Sequence, residues 1–196
     1  MQDSKEVAKD IQRLKAQPSI TALSVVGGFV RGLDTEYGHL FKECDLALAK
    51  HIYYSAIKAD PNFIRRNLVN AFTGTFYSFQ SWFLETTVKP GYDVHMVGRK
   101  KLVRDSIEQA IGEGAKHIII LGGGYDPRAF LASQEYPEVK FYELDRGDTR
   151  NIKIHALKNL PDHLQLSPPK VTIIDNSAVQ FNDNLLCIEC DFITDD

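Results

Sequence analysis

The sequence predicts an α/β fold: a parallel sheet preceded by a helical segment. Residues 117–121, HIIIL, form a continuous apolar and β-branched run, which is typical of a strand buried on both faces of a parallel sheet. Strand patterns alternate with helix patterns from Lys116 to Asp175, which predicts right-handed crossovers between parallel strands. Glycines at 122–124 follow the first strand directly, so we expect a sharp turn there before the next helix.

The elements after this turn follow in a regular order. DPRAFLASQEY predicts a helix with Asp126 as N-cap and Pro127 at the first helical position, where the missing N–H costs nothing. VKFYELD, ending at Asp145, predicts the second strand, and DTRNIKIHALKNL predicts the second helix. VTIID and LLCIECDF predict a third and a fourth strand, with an inserted hairpin partner as the alternative for VTIID.

Three segments are expected along the chain: an N-terminal arm (1–20), a helical cap on the substrate side (21–115) and a sheet domain (116–196). The arm is polar with few apolar residues, and its marginal helical pattern ends at Pro18. In the cap, apolar residues at helical spacing predict helices at 44–58, 61–72 and 100–112, the last closed by Gly112 or Gly114. Four phenylalanines predict a core-facing stripe, or alternatively a substrate-lining wall: Phe72, Phe76, Phe79 and Phe83.

Composition argues against several classes of protein. The net charge is −3 and the basic residues are dispersed, so nothing favours binding to nucleic acid, which we consider unlikely as a partner. No stretch approaches the roughly 20 apolar residues of a membrane helix, and the first residues are not signal-like. We therefore expect a soluble, cytoplasmic protein without a membrane partner.

The cysteines indicate neither a disulfide framework nor a metal site. There are three, an odd and sparse set that fits a reducing compartment. Cys187 and Cys190 form a CxxC, but on a strand residues three apart point to opposite faces, and no second ligand pair is evident. We expect no metal.

The glycine turn and the acid that ends the next strand form the main candidate site. Glycines let a ligand approach the backbone closely, and the following helix presents unpaired N–H groups. Asp145 should lie at the same edge of the sheet, where its carboxylate can accept hydrogen bonds from two ribose hydroxyls; the alternative is a solvated strand end or a helix cap. Glu143 points to the same face as Asp145 and either assists it or shapes that edge.

The kind of nucleotide follows from what the turn lacks. A dinucleotide fingerprint needs glycine or alanine where this chain has Pro127, which disfavours NAD. There is no GxxxxGK[ST] loop for ATP or GTP. A cofactor without phosphates, such as S-adenosylmethionine, needs the turn and the acid alone.

These residues carry a resemblance to a known family. IIILGGGYDPRAF (118–130) followed by FYELD (141–145) resembles the pattern LGaGxDtraf followed by fEvD of the leucine carboxyl methyltransferases, a class I methyltransferase family. VRG (30–32), Lys50, Asp60-Pro61 and CDF (190–192) match in the same order. The resemblance runs from about Val30 to Asp196. It implies a Rossmann-like class I methyltransferase sheet with an N-terminal helical appendage. It also implies that the C-terminal part of that sheet is missing from this chain.

The resemblance also implies how S-adenosylmethionine is held. Gly122 and Gly124 would line its methionine portion, Asp145 would bind the ribose, and Asp191 with Phe192 would flank the adenine. Asp126 is either a further ligand or only a helix cap.

The family pairs a lysine and an arginine with the methionine carboxylate. Lys50 matches the lysine, with an ordinary solvent-facing lysine as the alternative. Direct alignment puts His95 at the arginine position, whereas Arg99 fits after a shift of about one helical turn; we favour Arg99.

The implied reaction is methyl transfer to a carboxylate, with the C-terminal leucine of the type 2A protein phosphatase catalytic subunit as acceptor. The alternatives are a relative acting on modified tRNA or a small carboxylic acid, and a truncated, non-catalytic cofactor-binding or scaffold protein. We assign no catalytic residue. A sheet that stops at the fourth predicted strand would expose an apolar edge, so we also expect self-association.

Overall fold

The computed structural model describes residues 19–34, 36–64, 66–67, 87, 90–164, 166 and 169–192. We label the helices α1 (Ile20–Leu33), α2 (Glu43–Lys58), α3 (Tyr92–Gly112), α4 (Arg128–Glu135) and α5 (Gly147–Lys158). The strands are β1 (His117–Leu121), β2 (Lys140–Asp145), β3 (Val171–Ile173), β4 (Ala178–Phe181) and β5 (Leu185–Glu189). Short 3-10 turns lie at Glu36–Leu40 and Asp162–Leu164. The expected arm up to residue 18 and the phenylalanine stripe lie outside the described residues, as does half of the expected helix at 61–72.

Helices α1, α2 and α3 pack on one another. The hydroxyl of Ser19 caps α1 by accepting from the backbone N–H of Ala22 at 3.2 Å. A Cβ atom added at Gly32 would lie 2.4 Å from Val97, so glycine is what lets α1 and α3 come together. A buried ion pair joins the same two helices, because Arg31 donates to both carboxylate oxygens of Asp93 at 3.0 and 2.9 Å. Helix α3 begins eight residues before the expected start at residue 100 and has Gly112 as its last residue. Of the two glycines expected to close it, Gly114 does so: it has a φ of 100°, and its N–H donates to the carbonyl of Ile111 at 2.9 Å.

The strands form one sheet in the order β1-β2-β5-β4-β3. Strands β1, β2 and β5 run parallel, with α4 crossing from β1 to β2, whereas β4 is antiparallel to both β5 and β3. The α/β class is therefore confirmed, and so are the strands predicted from HIIIL, VKFYELD and LLCIECDF.

The third predicted strand needs a correction. VTIID gives only the short strand β3, which is not part of the parallel sheet but pairs antiparallel with β4. The hairpin alternative was closer, although its partner is β4 and not LLCIECDF. Strand β4 was missed because four residues between polar turns are too few for a periodic pattern.

The two faces of the sheet differ. One face carries Phe141, Phe181 and Leu185, each at most 1 % exposed, and packs against α4 and α5. The other face exposes apolar side chains, with Ile119 64 % and Leu121 67 % exposed. The expectation that HIIIL is buried on both sides is therefore wrong: β1 pairs only with β2 among the described residues and alternates between a covered and an open face.

The described residues include neither a membrane-spanning helix nor a metal-binding cluster. No helix there is long and apolar enough to span a membrane. No group of three or more His, Cys, Asp or Glu side chains is arranged to hold a metal ion in that part of the chain. Cys187 is buried within β5 and Cys190 follows that strand, and both thiols are free.

Candidate cofactor site

The glycine turn leaves β1 in a conformation that other residues rarely adopt. Gly122 and Gly124 have φ angles of 63° and 59°, in the left-handed region. The N–H of Gly122 donates to the carbonyl of Leu144 at 2.8 Å, which fixes the start of the turn to β2. A Cβ added at Gly122 would meet nothing within 4 Å, so this position opens onto free space. The turn thus presents bare backbone to a ligand.

Asp145 holds the other side of the turn by hydrogen bonds to backbone N–H groups. Its carboxylate is buried, with the residue 8 % exposed, and accepts the backbone N–H of Gly124 on Oδ2 at 2.5 Å and that of Arg146 on Oδ1 at 2.7 Å. An ionised carboxylate has about four acceptor sites, so each oxygen retains capacity for one more donor. The sequence placed Asp145 at this sheet edge; its bond to the turn could not be read from spacing.

A cavity of about 310 Å³ lies over the turn. Its floor is the glycine turn and Asp145, and one wall is the first half of α1. The lining residues are Ser19, Thr21, Ala22, Val25, Val26, Arg99, Lys100, Gly122, Gly123, Gly124, Tyr125, Asp126, Asp145, Arg146 and Thr149. The α1 wall and Lys100 were not predicted from the sequence. The only signal for that wall was a serine after Pro18, which marks a helix start but not its neighbours.

Tyr125 is a polar residue of this cavity with a buried hydroxyl. The residue is 1 % exposed, and burial raises the pKa of its hydroxyl. The hydroxyl lies close to the backbone of Ser19 and the side chain of Thr149 but forms no well-aligned hydrogen bond within the described part of the chain. An unpaired buried hydroxyl is costly unless a ligand or water satisfies it.

Two cations from α3 reach the cavity. Lys100 donates to Oδ2 of Asp126 at 2.5 Å, and both side chains are about 15 % exposed. Burial alone would raise the pKa of Asp126, but the Lys100 ammonium outweighs it and holds that pKa below its ordinary value. Arg99 is exposed and forms no ion pair with a described residue. A smaller cavity of about 130 Å³ beside the first is lined by both cations.

Asp126 also contacts the start of α4. Its Oδ1 accepts the backbone N–H of Arg128 at 2.9 Å, but α4 begins at Arg128, one residue later than expected, with Pro127 at the N-cap. From the sequence, Asp126 could be either a helix cap or a ligand. Here it closes the first turn of α4 while its other oxygen faces Lys100.

A second buried ion pair lies beneath the turn. Lys153 of α5 donates to both carboxylate oxygens of Glu143 at 2.7 and 2.8 Å, and the two residues are 2 % and 3 % exposed. A Cβ added at Gly123 would lie 2.7 Å from the Glu143 carboxylate. Glu143 therefore shapes this edge, one of the two roles left open for it; it lines the smaller cavity, whereas Asp145 lines the larger one.

The other candidate residues lie at different distances from the cavity. Asp191 and Phe192 follow β5 at the sheet edge beside Asp145, whose carbonyl accepts from the N–H of Cys190 at 2.9 Å, and Phe192 is 53 % exposed. Neither lines the cavity.

Of the two candidates on α3 for the methionine carboxylate, Arg99 lines the cavity and His95 does not.

Lys50 is not brought to the cavity. It pairs with Asp34 at 2.8 Å, directly after the end of α1. Asp34 is eight residues beyond Val26, the last residue of α1 that lines the cavity, which corresponds to about 12 Å along the helix axis. The position of Lys50 therefore gives no support to its expected contact with the methionine carboxylate.

Comparison with known proteins assigns the family. Residues 63–196, more than half of the chain, match the family model described as leucine carboxyl methyltransferase. A comparison with curated protein sequences gives no match. The matched range contains the glycine turn, Asp145 and Arg99. Members of the matched family are S-adenosylmethionine-dependent carboxyl methyltransferases. The chain belongs to the leucine carboxyl methyltransferase family.

Proposed function

We propose that the cavity over the glycine turn binds S-adenosylmethionine and that the chain methyl-esterifies the C-terminal leucine of the type 2A protein phosphatase catalytic subunit. The observation that carries the first part is the convergence of three features on one cavity: the open backbone at Gly122, the Asp145 carboxylate and the Arg99 guanidinium, which has no ion-pair partner among the described residues. The family match supports the reaction class.

The residues present fit the chemistry of this cofactor. Gly122 and Gly124 would lie along the methionine portion, which is the part that needs close approach to backbone. Asp145 would accept from the ribose hydroxyls with its remaining lone pairs. Arg99 would pair with the methionine carboxylate.

The remaining candidates have lesser parts in this proposal. Asp191 and Phe192 would flank the adenine at the edge beside β5. Asp126 would act through Lys100, whose ammonium it holds at the cavity wall.

The bound cofactor supplies an electrophilic methyl group on a sulfonium. A carboxylate acceptor, with a pKa of about 3.5, is already ionised at neutral pH, so no general base is required. The protein then has to align the acceptor with the methyl carbon at about 3 to 3.5 Å and exclude water. The apolar α1 wall, with Ala22, Val25 and Val26, gives the cavity one side on which water is poorly held.

Two other functions are alternatives to methylation of the phosphatase: methylation of a different acceptor, and a non-catalytic role. Modified tRNA or a small carboxylic acid could serve as acceptor, although the dispersed basic residues disfavour RNA. A non-catalytic cofactor-binding or scaffold protein would keep the cavity without turnover. We also propose a cytoplasmic location, which free thiols support because they are typical of a reducing compartment.

The cofactor site is tested by titrating the protein with S-adenosylhomocysteine in a calorimeter. We expect one site per chain and a loss of binding in Asp145→Asn, which keeps the size of the side chain but cannot accept at both oxygens. Asp105→Asn on the exposed face of α3 is the matched control and should bind normally. Absence of binding by folded wild-type protein would overturn the proposal.

The acceptor is tested by incubating the chain with radioactive S-adenosylmethionine and the intact phosphatase catalytic subunit. We expect label at the C-terminal carboxylate, and none when the terminal leucine is deleted. Cofactor binding without label on this acceptor would refute the phosphatase substrate and favour one of the alternatives.

A further inference from the structure

The Glu143–Lys153 pair is unusual because both of its charged side chains are buried. Both side chains are almost completely buried between the sheet and α5, and each has to leave its hydration shell on folding. Buried ion pairs are often no more stabilising than well-packed apolar residues of the same volume. Stability alone is therefore a poor explanation for this pair, and its position is more informative.

The carboxylate of Glu143 occupies the space in which a side chain of residue 123 would lie. A Cβ at Gly123 would be 2.7 Å from both Cδ and Oε1 of Glu143, and 2.9 Å from its Cγ. Lys153 holds both oxygens, so the carboxylate cannot rotate away. The backbone of the turn thus sits directly on a side chain that is fixed at its far end.

The turn is held at its end by a second charged pair. The backbone N–H of Asp126 donates to the carbonyl of Gly123 at 3.1 Å, and the Asp126 carboxylate binds Lys100. The charges of Asp126 and Lys153 also act on each other's pKa, so the two pairs lie within electrostatic reach. The charges alternate in sign from Lys100 and Asp126 at the cavity wall to Lys153 and Glu143 beneath the turn.

We propose that Glu143, held by Lys153, is a positioning residue that sets the height of the glycine turn beneath the methionine portion of the cofactor. It acts through Gly123 and does not itself touch the donor. This inference rests on the proposed function, because it assigns the pair a role in that same cofactor site. Without the pair, the turn would keep its sequence but lose its fixed floor.

The test compares three variants with wild type: Glu143→Gln, Lys153→Met and the double variant. Each single variant leaves one buried group unmatched and is expected to lower the melting temperature. The double variant removes both charges and is expected to recover most of it. We expect the double variant still to bind S-adenosylhomocysteine at least fivefold more weakly than wild type, because the glutamine side chain introduced at position 143 is no longer pinned.

Hydrogen exchange of the apo protein provides a readout that does not depend on the ligand. We expect the amides of residues 122–126 to exchange at least fivefold faster in the double variant. The control is Arg31→Met with Asp93→Asn, which removes the other bidentate buried pair outside the cavity lining. It should lower the melting temperature without changing the exchange of the turn or the affinity for S-adenosylhomocysteine.

The outcomes separate the two proposals. If the double variant regains wild-type affinity and wild-type exchange together with its stability, the pair is merely structural and this inference fails. If wild type does not bind S-adenosylhomocysteine at all, the proposed function fails, while the exchange of the apo turn still decides whether Glu143 positions it.

Discussion

Replacing Gly123 with alanine is the sharpest perturbation that the structure offers. Gly123 does not have a positive φ, so the backbone itself tolerates a Cβ atom. The obstacle is packing: the added atom would lie 2.7 Å from the Glu143 carboxylate, whereas ordinary van der Waals contacts begin at 3.4 Å. Something has to move by about 0.7 Å, and Lys153 prevents the carboxylate from moving.

The magnitude follows from the cost of overpacking. Inserting one methyl group into a well-packed site costs about 1 to 3 kcal/mol. For a chain of 196 residues each kcal/mol lowers the melting temperature by about 2 to 4 °C. If the turn lifts to relieve the contact, part of this energy is lost from ligand binding, and about 1.4 kcal/mol would weaken it tenfold.

Thermal unfolding and calorimetric titration with S-adenosylhomocysteine measure both effects on the same samples. The control is Gly112→Ala at the end of α3, where an added Cβ meets nothing within 4 Å. It should leave the affinity unchanged and the melting temperature equal or slightly higher, because alanine is the better helix former. A Gly123→Ala protein with wild-type melting temperature and wild-type affinity would show that Glu143 yields freely, which would refute the close packing argued above.

Three other predictions concern the rest of the molecule. Arg99→Ala should weaken S-adenosylhomocysteine binding about tenfold, consistent with loss of a charged hydrogen bond, whereas Lys50→Ala should change it by less than about twofold; equal losses in both titrations would contradict this placement of the two cations. The pKa of Asp126 is lowered in the folded protein by Lys100, so the stabilising contribution of its charge is present above the ordinary value of 3.8 and is lost as the pH falls through the lower folded value. The melting-temperature difference between wild type and Asp126→Asn should therefore be constant above about pH 5 and shrink below about pH 4, and a difference that grows on acidification would reverse the assigned sign. Ile119→Lys on the open face of the sheet should reduce the self-association that we expect, as measured by light scattering over a range of concentrations, and association that persists unchanged would place the contact elsewhere.

The sequence was informative where a local rule fixes the structure. A β-branched run, glycines and an acid after the next strand predicted β1, the turn and the position of Asp145 at one edge of a parallel sheet. The strand and the turn depend on residues a few positions apart. The position of Asp145 follows from the fixed geometry of one crossover between neighbouring parallel strands. The resemblance to the family specified S-adenosylmethionine as the proposed cofactor. The local pattern alone predicted only a nucleotide-like ligand.

Features set by distant parts of the chain could not be predicted in the same way. The α1 wall of the cavity joins Ser19 and Ala22 to glycines about a hundred positions later, and no periodic pattern records such a contact. The exposure of Ile119 depends on which strands and helices surround β1, so an apolar run alone gave the wrong answer. Lys50 had the right residue type for a ligand, but its helix places it beside Asp34.

In the proposed cofactor site, Asp145 would couple folding to ligand binding. Its two oxygens hold the N–H groups of Gly124 and Arg146, so the carboxylate shapes the turn before any ligand arrives. The same oxygens keep lone pairs directed to the cavity side, where a ribose would need them. If Asp145 binds the ribose as we propose, the binding group is already fixed by the backbone that it organises, so little conformational entropy would be lost on binding. The glycine turn, held from above by Asp145 and from below by Glu143, is therefore a preorganised floor.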